Sequence, residues 1–398
     1  MARVVVHIGM TKTGSTSIQA AFHKARAELL PLGIDYLDLG QNHSRVVKVA
    51  LSGSAKRLKG SAARSLGLAE GIDAYDAGAV RAALEERLAA RRAPLLVISG
   101  EGFFNMTEAE IAAFHALLTR HFDEIRIVAY LRDPLSWASS RAQENVKHGH
   151  TVAELTESVE TDPDTSPIVP QYRRRLGGWI DAFGRAAVDI RVFDKRRFRD
   201  GDLIADFCAA IGADPRVAGL LPRPWNNPRT SHEALLLIEA HYRLLASRHA
   251  GRTTTKERRK AAKKGRRAGA EDGPDLGDIA TDPDIRALAF WFRDDVRKIP
   301  GTPFSLPRPV LDRIWALVQD DLAWLRVETG DPALFADAWP PRESTAPAWS
   351  AETLLPLVER LDRSVGRRWR SEAMLWLRSG PQAGVLKAAA RLRRALGR

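Results

Sequence analysis

Apolar runs of strand length recur along the first half of the chain, separated by segments in which apolar residues follow a helical spacing. The runs are rich in valine, isoleucine and leucine and alternate little between apolar and polar residues. This pattern is typical of a parallel sheet that is buried on both faces. The predicted strands are Arg3 to Gly9, Ile34 to Leu39, Pro94 to Ser99, Ile125 to Leu131 and Val188 to Phe193.

The segments between these runs predict helices that connect one strand to the next. Such an alternation of strands and helices indicates a doubly wound α/β fold, with a central parallel sheet between layers of helices. The predicted helices are Thr16 to Leu30, Ala77 to Arg92, Glu108 to Phe122, Leu135 to Lys147 and Pro170 to Phe183.

The strand pattern fades beyond about Gly212, where helical segments with many tryptophans follow. Between the two halves lies a stretch, 247–278, that is poor in apolar residues and dense in basic ones. Such composition predicts a mobile insertion. We therefore expect an α/β core over residues 1–245, a basic insertion over 246–280 with its most basic part at 251–267, and a mainly helical extension over 281–398 packed on the core.

The chain of 398 residues carries 61 Lys and Arg against 49 Asp and Glu, a formal net charge of +12. This excess favours anionic partners through long-range attraction. Its sign alone does not choose among a nucleotide, an acidic glycan, a nucleic acid and a lipid headgroup. No zinc finger, recognition-helix signature or aromatic stacking ladder supports a nucleic-acid partner, so none is expected.

The single cysteine, Cys208, cannot form an internal disulfide, and no apolar run approaches the roughly 20 residues that cross a bilayer. The first apolar stretch lacks the features of a signal peptide. These observations predict a cytoplasmic location. The basic C-terminal segment VLKAAARLRRALGR leaves peripheral contact with an anionic membrane surface open.

The stretch VVVHIGMTKTGSTSIQAAF combines a strand, a glycine-containing turn and a helix. Gly9 and Gly14 have the separation of a Walker-type phosphate loop, but Ser15 stands where that loop has its lysine. The lysine, Lys12, comes two residues before the second glycine. This displacement argues against a kinase or NTPase.

The same turn still suits an anion. Gly14 permits close approach of the backbone, and the amides that follow it lie at a helix start. Lys12 would lie beside the anion, and further hydroxyl donors would come from Thr13, Ser15, Thr16 and Ser17. An ordinary strand-to-helix turn with hydroxyl caps is the simpler alternative.

A second motif follows the fourth predicted strand, in the stretch IRIVAYLRDPLSWASSRAQ. Arg132 ends the strand, Pro134 can begin a helix, and Ser140 lies about two turns into that helix. An arginine in this place offers a fork of charged donors to a phosphate dianion. The sequence therefore carries two candidate phosphate sites on corresponding elements.

Together the two motifs resemble the donor sites of sulfotransferases that use 3′-phosphoadenosine 5′-phosphosulfate (PAPS). In that family a lysine also precedes the loop glycine, and an arginine after a strand with a serine eight residues later holds the 3′-phosphate. Tyr172 to Gly212 and Trp225 to Ile238 are similar to later elements of bacterial members, so the resemblance covers about residues 3 to 240.

The resemblance implies a P-loop-like three-layer fold, PAPS as the donor, no metal, and transfer of sulfonate to a hydroxyl or amine of a carbohydrate or glycolipid. A nucleotide kinase or NTPase with an altered phosphate loop is one alternative. The other is a protein that binds polyanions without catalysis. Acceptor identity and oligomeric state do not follow from the sequence.

Three residues are candidates for the chemical step. Lys12 can stabilise the charge that develops on the leaving phosphate. Glu101 follows the third predicted strand, where ligands bind in open α/β sheets, and is the candidate general base; a helix-capping or salt-bridge role is its alternative. His43, after the second strand, is the second candidate base. His7, inside the first strand, is expected to be a core or pocket-wall histidine.

Overall fold

The computed structural model describes residues 1–52, 66, 76–223, 230–245, 296 and 301–340. The predicted basic insertion over 246–280 and most of the predicted extension over 281–398 lie outside these residues.

Five parallel strands form one central sheet. They are β1 (Arg3–His7), β2 (Ile34–Tyr36), β3 (Leu95–Ser99), β4 (Glu124–Leu131) and β5 (Val188–Val192), in the spatial order β2-β3-β1-β4-β5. This arrangement confirms the predicted α/β class with a parallel sheet, and each observed strand lies within or next to its predicted run.

The sheet is buried on both faces. Val5, Val97 and Tyr130 point to one face, where they pack with Phe22 and Phe207 in a single apolar cluster. Their neighbours along the strands point to the opposite face, because side chains alternate in a strand. That face is buried too, with Val4, Val6, Leu96, Ile98, Ile127 and Ala129 each at most 1% exposed. Burial on both faces explains the unalternating apolar runs.

Helices connect the strands. Up to β4 they are α1 (Ser15–Lys24), α2 (Arg26–Leu29), α3 (Ser44–Leu51), α4 (Ala77–Ala89) and α5 (Glu108–Leu118). After β4 come α6 (Pro134–Val146), α7 (Val152–Thr161), α8 (Tyr172–Phe183), α9 (Leu203–Ala210), α10 (Pro215–Leu220), α11 (232–245), α12 (Arg308–Leu317) and α13 (Gln319–Thr329).

Local capping defines several helix starts. Thr107 and Thr151 form capping boxes with Glu110 and Glu154 at the starts of α5 and α7. Helix α7 is absent from the sequence-based prediction. The predicted helix from Thr16 to Leu30 is interrupted in the structure, because α1 ends at Lys24 and a separate short helix follows.

The chain divides into two compact units of interleaved segments. The first comprises Met1–Trp137, Val169–Asn227 and Ile314–Pro340, and it contains the whole sheet. The second comprises Ala138–Ile168, Pro228–Arg313 and Pro341–Arg398, and its described part is mainly helical. The predicted boundaries of the insertion, at 245/246 and 280/281, adjoin or lie among residues outside the description and stay predictions.

None of the helices in the described part of the chain has the length and hydropathy that a bilayer span requires.

Candidate functional site

Three neighbouring strands deliver the predicted site residues to one edge of the sheet. Strand β1 lies between β3 and β4, and all three run parallel. The loop with Lys12 follows β1, Glu101 follows β3, and Arg132 follows β4. The carboxyl ends of the strands in an open α/β sheet form the usual ligand-binding edge.

The loop after β1, residues 9–14, has an unusual backbone. Lys12 and Gly14 both adopt left-handed conformations, with φ of 66° and 76°. A Cβ at position 14 would overlap the side chain of Leu203 and lie 3.0 Å from Phe193. Glycine at position 14 is therefore required both by its backbone angles and by the close approach of its neighbours.

Gly9 is required by a second close approach. A Cβ there would overlap Ser15 Oγ and lie 2.9 Å from Cε1 and Nε2 of His7. Ser15 is the first residue of α1 and only 3% exposed, and its hydroxyl has no hydrogen-bond partner among the described residues. An unpaired buried hydroxyl at the positive end of a helix fits an oxyanion ligand.

The remaining hydroxyls of the loop differ in their surroundings. Thr13 is fully buried and donates its Oγ1 hydrogen to the carbonyl oxygen of Met10 over 2.5 Å. This hydroxyl therefore stabilises the loop itself, which differs from its expected role as a donor to the anion. Thr16 is exposed and Ser17 is half-buried on the first turn of α1.

A contact that the sequence analysis did not predict ties the loop to α6. Trp137 donates its indole Nε1 hydrogen to the carbonyl oxygen of Thr11 over 3.0 Å. Trp137 is 7% exposed, so this bond is largely shielded from water. A tryptophan in the polar stretch LSWASS is the one signal in the sequence that draws attention to this position.

The second predicted phosphate motif begins α6. Asp133 accepts the amide hydrogen of Ser136 over 2.9 Å, and Pro134 is the first residue of the helix. Arg132 Nε donates to Ser136 Oγ over 3.2 Å. The hydroxyl of Tyr172 donates to the carbonyl oxygen of Arg132 over 2.6 Å. The guanidinium and the backbone of Arg132 are thus both held in place.

Arg132 also contacts a serine that lies one turn before the one expected from the sequence. The sequence analysis pairs Arg132 with Ser140, and the structure gives Arg132 a hydrogen bond to Ser136. Ser140 is half-buried and lies one helical turn beyond Ser136. Its role at a 3′-phosphate stays a prediction.

Glu101 begins a short 3-10 helix, Glu101–Asn105, directly after β3. The preceding Gly100 donates its amide hydrogen to the carbonyl oxygen of His7 over 3.0 Å, which ties this turn to the end of β1. Phe103 is fully buried and anchors the turn. Glu101 itself is half-buried, and its role as a base stays a prediction.

His43, the second candidate base, is fully buried. Its Nδ1 accepts the amide hydrogen of Ser99 over 3.0 Å, and its Nε2 is 3.1 Å from the carbonyl oxygen of Gly40. Burial lowers the pKa of His43 to about 3. Both ring nitrogens are thus occupied by the backbone, which gives His43 a structural position and disfavours its assignment as a base.

A buried ionic network holds α9 behind the loop. Asp206 is 3% exposed and accepts two hydrogen bonds from Arg191, each 2.8 Å long, and one from the Tyr130 hydroxyl at 2.6 Å. These bonds link α9 to β4 and β5. Because Leu203 at the start of α9 lies against Gly14, the network also supports the loop.

No group of three or more His, Cys, Asp or Glu side chains within the described ranges is placed to hold a metal ion.

Comparison with known proteins gives limited matches. No protein-family model matches the sequence. The chain is 29% identical over 146 residues to an uncharacterized protein of Archaeoglobus fulgidus; the match covers 36% of this chain and 37% of the length of that relative. It is also similar to the crystal structure of a sulfotransferase from Alicyclobacillus acidocaldarius, with 14% identity and a TM-score of 0.36, over 59% of this chain and 90% of that one.

Proposed function

We propose that the protein is a sulfotransferase that binds PAPS and transfers its sulfonate group to a hydroxyl or amine, with a carbohydrate or glycolipid as the acceptor class. The observation that carries this proposal is the pair of candidate anion-binding loops that follow the adjacent strands β1 and β4 and are joined by the Trp137–Thr11 hydrogen bond. A ligand with phosphate groups at two ends matches two such loops.

The residue after the second loop glycine separates this proposal from phosphoryl transfer. In a Walker-type loop a lysine at that place contacts the β- and γ-phosphates. Here the place belongs to Ser15, whose buried hydroxyl lies against Gly9. The loop therefore offers a small neutral donor where an ATP-binding loop offers a charged one.

The proposed roles follow from position. Amides at the start of α1 and the Ser15 hydroxyl bind the 5′ end of the donor, and Arg132, with Ser140 further along α6, binds the 3′-phosphate. Lys12 stabilises the negative charge on the phosphate oxygen as its bond to sulfur breaks. Glu101 accepts the proton of the acceptor group as that group forms its bond to sulfur. The donor supplies the activated sulfonate.

Titration calorimetry tests this function with three ligands: adenosine 3′,5′-bisphosphate, AMP, and ATP with Mg²⁺. We expect the bisphosphate to bind tightest, without magnesium. Preference for ATP with Mg²⁺ would contradict the proposal, as would equal weak binding of all three. Transfer of radiolabelled sulfonate from PAPS to a panel of glycans then tests the acceptor class.

A pair of glycine variants controls for folding. Gly14→Ala places a Cβ against Leu203 and Phe193, and we expect it to abolish binding of the bisphosphate. Gly330→Ala introduces a similar left-handed strain, at φ 65°, where the added Cβ would meet no described atom within 4 Å beyond its own local backbone. It should bind the bisphosphate like the wild type.

A further inference from the structure

His7 is a buried histidine, and one of its ring nitrogens has no partner in the part of the chain that the structure describes. It is the last residue of β1, is fully buried, and packs against Phe207 at 5.2 Å between ring centroids. Its Nδ1 lies 2.8 Å from Ser99 Oγ. Its Nε2 has no hydrogen-bond partner among the described residues. Of the two ring nitrogens of His7, only Nδ1 therefore has a hydrogen-bond partner among the described residues.

The unpaired nitrogen of His7 and the unpaired hydroxyl of Ser15 border the same point. Both atoms lie within 2.9 Å of the position that a Cβ on Gly9 would take. They are therefore at most twice 2.9 Å, or 5.8 Å, apart. This upper limit corresponds to two hydrogen-bond lengths, the span of a water-mediated bond.

The chemistry of an oxyanion decides the direction of the bonds. Because an oxyanion only accepts hydrogen bonds, Ser15 must donate its hydroxyl hydrogen to the ligand, and its oxygen is then free to accept. The amide of Ser99 is already used by His43, whereas the Ser99 hydroxyl lies 2.8 Å from Nδ1 of His7 and also interacts with the side chain of Tyr36. If this hydroxyl donates to Nδ1, the ring hydrogen of His7 is on Nε2, facing Ser15.

We propose that His7 is a positioning residue that donates its Nε2 hydrogen to Ser15 Oγ, directly or through one water, and so directs the Ser15 hydroxyl at the 5′-phosphate end of the bound nucleotide. This inference rests on the proposed function. Burial lowers the pKa of His7 to about 3, so its ring is neutral. In the proposed arrangement Nδ1 is then the acceptor for the Ser99 hydroxyl.

The relay has a specific consequence for ligand recognition. His7 and Ser15 act at the 5′ end, which adenosine 3′,5′-bisphosphate and AMP share. Loss of the relay should therefore weaken both ligands by the same factor. Arg132, in contrast, is proposed to contact only the 3′-phosphate.

The test measures the affinities of both nucleotides for wild type, His7→Asn, Ser15→Ala and the double variant. The side-chain amide of asparagine can contact Ser99 as Nδ1 does, but asparagine has no group at the position of Nε2. We expect each single variant to lose about 3- to 10-fold in affinity for both ligands, and the double variant to lose no more than Ser15→Ala alone. Independent, multiplying losses would overturn the relay.

Two further variants keep the test decisive. His7→Gln can place an amide hydrogen where Nε2 lies, so it should recover most of the affinity, which a purely structural role does not predict. If His7→Asn does not fold, Ser99→Ala replaces it, because removal of the Ser99 hydroxyl frees Nδ1 to carry the ring hydrogen. The affinity that Ser99→Ala loses should again depend on the presence of Ser15. If the wild type binds neither nucleotide, the proposed function fails; if it binds both and the losses multiply, only the relay fails.

Discussion

Trp137 donates its indole hydrogen to the carbonyl oxygen of Thr11, over a distance of 3.0 Å. The donor is on the first turn of α6 and the acceptor is in the loop after β1. The bond therefore joins the backbone of one proposed phosphate site to the helix that carries the other. A change in this bond should affect binding of a ligand that requires both sites.

Trp137→Phe removes this hydrogen bond and keeps an aromatic ring. Since one hydrogen bond contributes about 0.5 to 1.5 kcal/mol, we expect a 2- to 10-fold weaker affinity for adenosine 3′,5′-bisphosphate, measured by calorimetry. Trp179→Phe is the matched control, because Trp179 is fully buried and its Nε1 has no partner in the described structure. Equal effects of the two variants on affinity would contradict the coupling.

Arg132→Ala should weaken the binding of adenosine 3′,5′-bisphosphate more than the binding of AMP. Removal of a charge-assisted contact costs about 1.5 to 3 kcal/mol, and only the bisphosphate has the 3′-phosphate that this guanidinium is proposed to bind. AMP affinity should therefore change little. Equal losses for AMP and the bisphosphate would refute the placement of the 3′-phosphate. Ser136→Ala, which removes the partner of Arg132 Nε, should produce a smaller loss of the same selectivity.

Lys12→Ala should lower turnover more than donor affinity, because the charge of Lys12 matters most as the bridging oxygen leaves. Single-turnover kinetics with saturating donor measures this difference. A normal rate at saturation with loss of donor binding would make Lys12 a binding residue only.

The backbone of Lys12 permits a stability prediction as well. A left-handed φ of 66° disfavours any residue with a Cβ, so Lys12→Gly should be more stable than Lys12→Ala by about 1 kcal/mol. Urea unfolding of the two variants measures the difference. Both remove the charge, so their turnover should be equally low.

Glu101→Gln should fold and bind adenosine 3′,5′-bisphosphate like the wild type while its transfer rate falls about 10²- to 10⁴-fold. Glutamine keeps the size and hydrogen-bonding capacity of the side chain and removes its basicity. A rate within a few-fold of the wild type would assign Glu101 to capping or ion pairing instead. In that case the role of general base would not pass to His43, since both of its ring nitrogens already have hydrogen-bond partners.

The buried histidines predict how stability depends on pH. The pKa of His43 falls to about 3 on burial, from 6.5, so the unfolded chain binds a proton that the folded protein does not between these values. Stability is therefore complete above pH 6.5 and decreases as pH falls toward 3, by about 1.4 kcal/mol per pH unit for each such histidine. His7 contributes in the same direction.

Urea unfolding at pH 7.5, 6 and 5 measures this dependence. His43→Asn keeps an acceptor for the Ser99 amide but does not titrate, so its stability should fall less steeply with decreasing pH. An unchanged slope in this variant would show that His43 is not the source of the effect.

Local patterns in the sequence predict most elements of the core and the position of both candidate phosphate loops. The five strands are recognisable because burial on both faces demands uninterrupted apolar runs, and the spacing of Gly9, Lys12 and Gly14 marks the first loop. Helix α7 is not predicted, although its capping box of Thr151 and Glu154 is a local signal in the sequence.

The pairing of residues within the site depends on the tertiary structure. The order β3-β1-β4 brings Glu101, Lys12 and Arg132 to one edge, and strand order is a property of long-range packing that no local pattern contains. The same packing occupies both nitrogens of His43 and, within the part of the chain that the structure describes, leaves His7 Nε2 and Ser15 Oγ without a hydrogen-bond partner beside Gly9. Residue types and spacing indicate a candidate anion site, whereas the contacts that join its segments to one another are made between residues far apart in the chain.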